Sequence, residues 1–341
     1  MEKILVIQTA FIGDAILTLP MIQKLKKIIS NSEIDVISNP VTSEIFSASP
    51  YVKEVVCLDK KGKHKSFFSL LKFAREIRNR RYMRIYSPHR SFRSALIVMQ
   101  SAVRETYGFT NSSFKHIYKH LIDYKYNHHE VQRNLDLVGY DYSSEGWRIL
   151  PELRIPAQIQ ENVRKFFANY DINSHVTVLA PGSLWNTKMY PAEYYKKIIG
   201  YLVDNSGKVL LIGGESDISL CRNLASGFNQ DVLPVAGKFT LLETIELLKN
   251  SKILVSNDSA PTHFGMCADI PVLTLYCSTT ANFGFYPYNE KSSYLSYDDL
   301  FCKPCGVHGF SKCPIKTFEC GYYLKPDVVI AKIEEILNDK N

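Results

Sequence analysis

The sequence of 341 residues lacks the signatures of several large protein classes. No stretch approaches the roughly 20 consecutive apolar residues of a membrane-spanning helix, which argues against an integral membrane protein of that kind. The first apolar run is interrupted by Gln8 and has no strongly basic leader, so we do not expect a secretory signal. These features predict a cytoplasmic protein.

Two common nucleotide-binding motifs are absent as well. The sequence contains neither a GxxxxGKS nor a GxxxxGKT loop, which argues against a P-loop nucleotidase. No complete GxGxxG follows the first predicted strand, which disfavours a dinucleotide-dependent dehydrogenase. Any phosphate site in this chain must therefore be built from other loops.

The chain does contain a twofold alternation of apolar strands and amphipathic helices. The first series starts at Lys3–Ile7 and the second at Val176–Ala180, and the proline-containing stretch 141–173 separates them. This pattern predicts an α/β protein with two Rossmann-like, doubly wound domains that face each other across a cleft. We place these domains at residues 1–170 and 171–325.

The net charge of +7 is unevenly distributed. Residues 1–150 contain 23 Lys and Arg against 14 Asp and Glu, whereas the remaining residues contain 18 against 20. A solvated basic face is one explanation for this difference. The size of the excess favours an anionic partner: a phosphorylated lipid, a membrane surface or a nucleic acid.

The turn that follows the strand Lys252–Ser256 is suited to binding an anion. Asp258, Ser259 and Pro261 stand at a predicted helix start, where capping side chains and proline are favoured. Backbone N–H groups at such a position attract phosphate, so we predict that this turn holds the diphosphate of a nucleotide-sugar. His263, one helical turn further, is either a hydrogen-bonded structural histidine or a contact to phosphate or sugar.

Two further charged residues stand in loops at predicted strand ends. Asp14 follows the first strand, where it is either a helix N-cap or a general base at the cleft that takes a proton from an acceptor hydroxyl. Lys188 lies with Ser183 in the loop after Val176–Ala180. It is either a surface lysine or a cation that, together with the helix start, neutralises a departing diphosphate without Mg²⁺.

Four cysteines lie close together near the end of the chain. Their first pair has the CxxC spacing of a structural zinc site, but the second pair does not. Reduced free thiols are the alternative in a cytoplasmic protein, and both interpretations stay open. The cysteines are Cys302, Cys305, Cys313 and Cys320.

Several motifs, in order along the chain, resemble those of the heptosyltransferases of glycosyltransferase family 9. Gly13–Pro20 reads GDAILTLP and matches the turn at the start of that family. Pro181–Glu193 contains PGS and then KMYPAE, as in the family's middle motif. Asp258–His263 reads DSAPTH and matches the family signature. A late CxPC cluster is also frequent there, and Cys302–Cys305 fits it.

The resemblance implies a GT-B fold in which the first domain binds the acceptor and the second binds the donor. It implies an inverting, metal-independent transfer of heptose from ADP-heptose, with Asp14 as the base and no cofactor. The last helix, within residues 326–341, would pack back on the first domain. The donor-binding residues that it implies are Ser183, Lys188, Glu215, Asp258, Ser259, Ala260 and His263.

The expected acceptor is a phosphorylated lipid A or inner-core lipopolysaccharide at the inner face of the cytoplasmic membrane. We expect a monomer that contacts the membrane peripherally and does not bind nucleic acid. Two alternatives remain: a GT-B transferase or epimerase that uses another nucleotide-sugar, such as a UDP-sugar, and a non-catalytic protein that binds anionic lipid. The expected acceptor-binding residues are Lys60, Lys61, Lys63, Arg90, Arg93 and Arg133.

Overall fold

The computed structural model of the protein describes residues 1–172 and 176–338, which form two compact units. The first unit comprises Met1–Arg154, and the second begins at Ile155. Each is built on a sheet of six parallel strands with helices packed against it, which confirms the predicted α/β class. None of the helices in the described ranges is long and apolar enough to cross a membrane.

The first unit has the strand order β3-β2-β1-β4-β5-β6 once its strands are numbered along the chain. All neighbouring pairs are parallel. The run Ile4–Ile7 in the central strand has no solvent exposure, as expected of a parallel strand that is covered on both faces. The strands are β1 (Glu2–Ile7), β2 (Ser32–Ser38), β3 (Glu54–Cys57), β4 (Arg84–Ser87), β5 (Glu105–Phe109) and β6 (His120–Ile122). The helices are α1 (Ile12–Ile28), α2 (Ser43–Ser47), α3 (Phe67–Asn79), α4 (Phe92–Ser101) and α5 (Glu130–Leu137).

The second unit repeats this topology with the strand order β12-β11-β10-β7-β8-β9. Its neighbouring strands are also parallel. The strands are β7 (Val176–Ala180), β8 (Val209–Leu211), β9 (Val232–Pro234), β10 (Ser251–Asn257), β11 (Val272–Tyr276) and β12 (Ser293–Ser296). The helices are α6 (Ala157–Asn169), α7 (Ala192–Ser206), α8 (Ile218–Ala225), α9 (Leu241–Lys249), α10 (Ala260–Ala268), α11 (Glu319–Tyr322) and α12 (Pro326–Asn338).

Each sheet changes its winding direction between two central strands. In the first unit β1 pairs with β4, and in the second β7 pairs with β10. The connections that leave such a pair run to opposite sides and open a crevice at the carboxyl edge, which is the usual ligand site of open α/β sheets. Asp14 follows β1, Lys188 follows β7 and Asp258 follows β10, so these three predicted site residues lie at the two switch points.

The boundary between the units falls at Arg154 instead of residue 170. Helix α6, which the sequence pattern assigns to the end of the first domain, packs against α9 of the second unit. The rings of Phe166 and Phe239 meet edge to face at 5.0 Å, and Asn162 donates a hydrogen bond to Glu243 at 3.2 Å. The apolar side of α6 is therefore buried in the second unit, and this burial moves the boundary.

Helix α12 also belongs to the second unit. Val329, Ile333 and Ile336 are buried in the core of the second unit. The packing of this helix on the first domain, which the resemblance implies, stays a prediction. The helix packs against α7, and the hydroxyl of Tyr201 on α7 bonds to the carboxylate of Glu334. Residues 339–341, the end of the predicted segment, lie outside the described residues.

Gly265 in α10 gives a test of how closely this helix packs on the sheet. A Cβ atom at Gly265 would lie 2.2 Å from Cγ2 of Val272, whereas one at Gly200 in α7 would lie 3.8 Å from Phe228. We expect Gly265→Ala to destabilise the second unit by about 1–3 kcal/mol through overpacking. Gly200→Ala should instead stabilise it by about 0.5–1 kcal/mol, because alanine favours a helix.

Denaturant unfolding followed by far-ultraviolet circular dichroism measures both variants. The change in the free energy of unfolding must have opposite signs in the two variants. A Gly265→Ala variant as stable as the wild type would show that α10 does not pack this tightly against β11.

Candidate active site

The second unit brings the predicted diphosphate residues together at its switch point. Lys188 ends a short 3-10 turn after β7, and its Nζ lies 2.7 Å from Oδ2 of Asp258. Both side chains are mostly buried. Thr279, which follows β11, donates a hydrogen bond from Oγ1 to the same carboxylate oxygen at 2.7 Å. Loops from three adjacent strands thus meet at Asp258.

Asn257, the last residue of β10, fixes the position of the lysine loop. Its side-chain amide donates to the carbonyl of Pro181 at 2.7 Å and accepts from the N–H group of Tyr190 at 3.0 Å. It also accepts from the hydroxyl of Tyr195 at 3.1 Å, and it has no solvent exposure. Sequence reasoning missed this residue, although a polar side chain at the carboxyl end of an apolar central strand is a signal for such a role.

Helix α10 begins beside the ion pair without a side-chain cap. Ser259 occupies the N-cap position, but its hydroxyl lies 3.3 Å from the carbonyl of Asn257 and accepts no bond from a helix N–H group. Pro261 stands in the first turn. The capping bond that the sequence predicts for this helix start is therefore not made by Ser259. The helix start, with the small residue Ala260 at its first position, keeps the partial positive charge that attracts an anion.

His263 is buried one turn into α10. Burial lowers the pKa of its imidazole to about 4, with Asp258 acting against the shift and Lys188 adding to it. The ring is therefore neutral near pH 7. Its Nδ1 atom has no hydrogen-bond partner within residues 1–172 and 176–338. Since buried polar atoms are rarely left unpaired, this atom favours a ligand contact over a purely structural role.

Ser183 and Glu215 lie in loops that follow two adjacent strands, β7 and β8. The hydroxyl of Ser183 accepts a long hydrogen bond of 3.5 Å from the N–H group of Trp185. Glu215 opens a 3-10 turn, and its side chain is exposed. Asp217 in that turn presses on Gly182, where a Cβ atom would lie 2.3 Å from the Asp217 carboxylate. The glycine of the PGS motif is therefore needed for the close approach of these loops.

In the first unit, Asp14 stands in the first turn of α1. One carboxylate oxygen accepts a hydrogen bond of 3.2 Å from the N–H group of Phe11, which is the N-cap residue. Burial raises the pKa of Asp14 to about 7, and the nearby charge of Glu130 raises it further, while the Phe11 N–H group and Arg90 act against the shift. Asp14 is therefore not the N-cap itself but the third residue of the helix, whose carboxylate bonds back to the N-cap N–H group. Its raised pKa is that of a base that works near neutral pH.

A buried ion pair between Arg133 and Glu130 lies near Asp14. Arg133 donates to the Glu130 carboxylate at 2.9 Å, and the hydroxyl of Tyr124 donates to the same oxygen at 3.0 Å. The guanidinium group of Arg90 lies 4.1 Å from the centre of the Tyr124 ring on a cation–π contact. Arg133 is only 1% exposed, so it holds Glu130 and Tyr124 in place and does not present its charge to solvent as a surface acceptor site would require.

Lys60 and His89 converge on Thr9 at the end of β1. The ammonium group of Lys60 donates to the carbonyl and the hydroxyl of Thr9, and Nδ1 of His89 lies 2.8 Å from that hydroxyl. Burial, and then the charge of Arg93, lower the pKa of Lys60. Burial, followed by Lys60 and Arg90, lowers the pKa of His89 to about 4. Lys60, Arg90 and Arg93 thus form a group of cations near the switch point of the first unit.

Lys61 and Lys63 lie in an exposed turn instead. Their backbone N–H groups, and that of Gly62, bond to the carboxylate of Asp59 at 2.8–3.2 Å. Their side chains are free to point into solvent, since both residues are exposed. The turn therefore presents an exposed cationic rim beside the more buried Lys60.

The four late cysteines line one cavity of about 340 Å³, together with Thr187 and Ser278. All four are free thiols. In the part of the chain that the structure describes, no group of three or more His, Cys, Asp or Glu residues is arranged to hold a metal ion.

The pKa of Asp14 predicts how its substitution changes stability with pH. The carboxyl ionises near pH 3.8 in the unfolded chain and near pH 7 in the folded one, so the folded state loses stability as the pH rises between these values. Asp14→Asn keeps an acceptor for Phe11 but removes this loss. We expect the variant to become more stable than the wild type as the pH rises from about 5 to about 8.

Thermal unfolding measured across this pH range tests the expectation. Asp59→Asn is the control: the N–H groups of Gly62 and Lys63 lower the pKa of Asp59, so its carboxylate is ionised throughout this range and the variant should be less stable than the wild type by a constant amount. A pH-independent difference between Asp14→Asn and wild type would contradict the raised pKa.

Comparison with known proteins assigns the family. The family model described as Glycosyltransferase family 9 (heptosyltransferase) matches residues 70–313, which is well over half of the chain. Lipooligosaccharide heptosyltransferase 2 of Campylobacter jejuni is 22% identical over 339 residues, covering 98% of this chain and 99% of that protein.

Solved structures of the same family share the fold. A glycosyl transferase family 9 protein from Veillonella parvula superposes with a TM-score of 0.85 at 20% identity, covering 99% of this chain and 98% of its own. ADP-heptose lps heptosyltransferase II of E. coli gives a TM-score of 0.80 at 19% identity, with 99% of both chains covered. These similarities confirm the GT-B fold class that the motifs predict. Together with the family match, they show that the chain belongs to glycosyltransferase family 9 and is a glycosyltransferase of the heptosyltransferase type.

Proposed function

We propose that this protein transfers heptose from ADP-heptose, with inversion, to a phosphorylated lipid A or inner-core lipopolysaccharide acceptor. Family membership supports heptosyl transfer. The names of the C. jejuni and E. coli proteins support the acceptor class and the ADP-heptose donor. The observation that carries the proposal is the Lys188–Asp258 ion pair at the start of α10, together with Nδ1 of His263, which has no hydrogen-bond partner among the described residues.

The donor diphosphate would bind at this helix start. Its negative charge grows as the bond to the sugar breaks, and Lys188 and the N-terminus of α10 supply the positive charge that stabilises it. Asp258 holds the ammonium group of Lys188 until the diphosphate competes for it. The neutral imidazole of His263 can donate a hydrogen bond to a phosphate or sugar oxygen without adding charge. Ser183, Glu215 and the N–H groups near Ala260 complete the proposed donor contacts.

Asp14 would act as the general base. The acceptor hydroxyl oxygen forms a bond to the anomeric carbon while the bond from that carbon to the diphosphate oxygen breaks, and its electron pair leaves with ADP. Asp14 takes the hydroxyl proton in the same step. A pKa near 7 suits this task, because an ordinary aspartate is a weaker base near neutral pH.

The acceptor phosphate would be held by Lys60, Arg90 and Arg93. These cations lie at the same sheet edge as Asp14, and Arg90 is kept in place by its contact with the ring of Tyr124. Two or three cations around one phosphate are a common arrangement for binding it. Arg133 would contribute indirectly, through its buried pair with Glu130.

The lysine-rich turn and the start of α3 would contact the membrane that contains the lipid acceptor. Phe67 and Phe68 are 53% and 82% exposed, directly after the exposed residues Lys61, Lys63 and Lys65. Exposed aromatic rings beside lysines suit an anionic lipid surface, where the rings enter the interface and the cations meet the headgroups. This placement would put the protein at the inner face of the cytoplasmic membrane.

Substitution of the proposed base tests the reaction. We expect Asp14→Asn to lower kcat by about 10²–10⁴-fold, since a positioned base contributes roughly that factor. Affinity for ADP should stay unchanged, because the diphosphate residues belong to the other unit. Wild-type kcat/KM should rise with pH to a plateau above about 7, following ionisation of Asp14. The transfer activities of the wild type and of Asp14→Asn should both persist in a chelator of divalent metals.

The assay measures release of ADP or UDP from the corresponding sugar donors with a lipid A-type acceptor, and calorimetry measures ADP binding. Asp123→Asn, an exposed carboxylate in the same unit, is the matched control. Full turnover in Asp14→Asn would refute the role of this residue, and release of UDP without ADP would favour the alternative of a UDP-sugar enzyme.

The membrane contact is tested by vesicle sedimentation. Phe68→Ser should weaken binding to vesicles that contain phosphatidylglycerol, because the ring no longer enters the interface. Phe301→Ser is the control, since Phe301 is 91% exposed but lies in the second unit. Equal sedimentation of the two variants, or equal binding to vesicles of phosphatidylcholine alone, would contradict the proposed contact.

A further inference from the structure

Residues 301–318, here named the cysteine loop, pack against the turn that carries Lys188. The contact is made by Thr187, which directly precedes Lys188, and by Phe310 in the loop. The N–H group and the hydroxyl of Thr187 both donate to the carbonyl of Phe310, at 3.1 and 3.0 Å. The N–H group of Phe310 donates back to the Thr187 hydroxyl at 2.8 Å.

The hydroxyl of Thr187 has every hydrogen bond that a threonine can make. It donates to Phe310 and accepts from the N–H group of Phe310 and from the hydroxyl of Ser278, which lies 3.0 Å away. Thr187 and Ser278 are 3% and 1% exposed. A fully satisfied, buried hydroxyl resists displacement, because breaking its bonds leaves polar atoms unpaired.

Gly309 allows the loop to come this close. Its φ angle is +74°, in the left-handed region that favours glycine. A Cβ atom there would lie 2.9 Å from the Thr187 hydroxyl, 3.0 Å from the Ser278 hydroxyl and 3.4 Å from Cγ of Lys188. Gly309 of the cysteine loop therefore lies close to the side chain of Lys188 as well as to Thr187.

The same loop connects to the far end of Lys188. The N–H group of Cys305 donates to the carbonyl of Ser278 at 2.8 Å. Thr279, the next residue, bonds to Asp258, and Asp258 pairs with the ammonium group of Lys188. The backbone of Lys188 is thus held through Thr187, and its charged end is held through Thr279 and Asp258.

We propose that Thr187 is a positioning residue, which uses the cysteine loop as a clasp to hold Lys188 at the donor diphosphate. The sequence motifs give no role to Thr187 and no donor role to the cysteine-bearing segment. This inference rests on the proposed diphosphate contact of Lys188. It also gives the CxPC segment a function that needs no metal ion.

Calorimetric titration with ADP tests the clasp on the full-length protein. Thr187→Val keeps the side-chain size but removes the hydroxyl, and we expect ADP to bind about tenfold more weakly, the effect of about one lost hydrogen bond. Thr187→Ser should restore wild-type affinity. Thr177→Val is the matched control: Thr177 is buried in β7, and its hydroxyl has no hydrogen-bond partner among the described residues, so its loss should leave ADP binding unchanged.

The outcomes separate this inference from the proposed function. Wild-type affinity in Thr187→Val would overturn the clasp while leaving the nucleotide site intact. Equal losses in Thr187→Val and Thr187→Ser would also overturn it, since the hydroxyl would then not be the cause. Failure of the wild type to bind ADP or UDP would overturn the proposed function and this inference with it.

Alkylation of the wild-type protein with iodoacetamide gives a measurement that needs no variant. A cysteine sulfur forms a bond to the reagent carbon, iodide leaves and the thiol proton goes to the buffer. Cys313 is the reporter, because it lies within the cysteine loop and is half-buried there. If the clasp couples to the donor site, bound ADP must slow opening of the loop and therefore slow alkylation of Cys313.

Cys57, which is exposed in the first unit, serves as the internal reference in the same mass spectrum. Slower modification of Cys313 relative to Cys57 in saturating ADP supports the clasp. Unchanged relative rates in saturating ADP would overturn it.

Discussion

The buried side-chain amide of Asn257 is the interaction on which the candidate donor site depends. It bonds to the carbonyl of Pro181 and to the N–H group of Tyr190, so it fixes both ends of the loop that carries Lys188. An amide buried without these partners would be costly, and this cost keeps loop and strand together. Asp258 follows Asn257 directly in the chain. Asn257 therefore fixes the positions of both partners of the Lys188–Asp258 ion pair.

The two switch points use burial in opposite ways. In the second unit, Lys188 and Asp258 neutralise each other and His263 is neutral, so the proposed anion site consists of one helix start and one ion pair. In the first unit, burial and then the nearby charge of Glu130 raise the pKa of Asp14 and keep its carboxyl near its point of titration at neutral pH. One site is thus prepared to receive negative charge, and the other is prepared to take up a proton.

Much of the fold follows from local patterns. The apolar run of β1, the polar turn after β10 and the Pro–Gly turn after β7 appear in the structure where their residues predict them, because these features depend on neighbours in sequence. The short strands β9 and β12 cannot be recognised in this way, since three or four residues are too few to show a period. The unit boundary falls at Arg154 instead of residue 170, because α6 packs against α9 of the second unit. An amphipathic helix shows that it has an apolar face, but it does not show which core will bury that face.

The sequence by itself determined the class of the fold, the residue types at each strand end and, through the order of its motifs, the family. Its motifs identified Asp14, Lys188 and His263 as separate candidates. Only the tertiary structure decided that Lys188 pairs with Asp258, that Arg133 is buried against Glu130, and that the cysteine loop clasps Thr187. These contacts join residues far apart in the chain, and they exist because parallel strands bring distant loops to one sheet edge, where burial then decides which polar groups must pair.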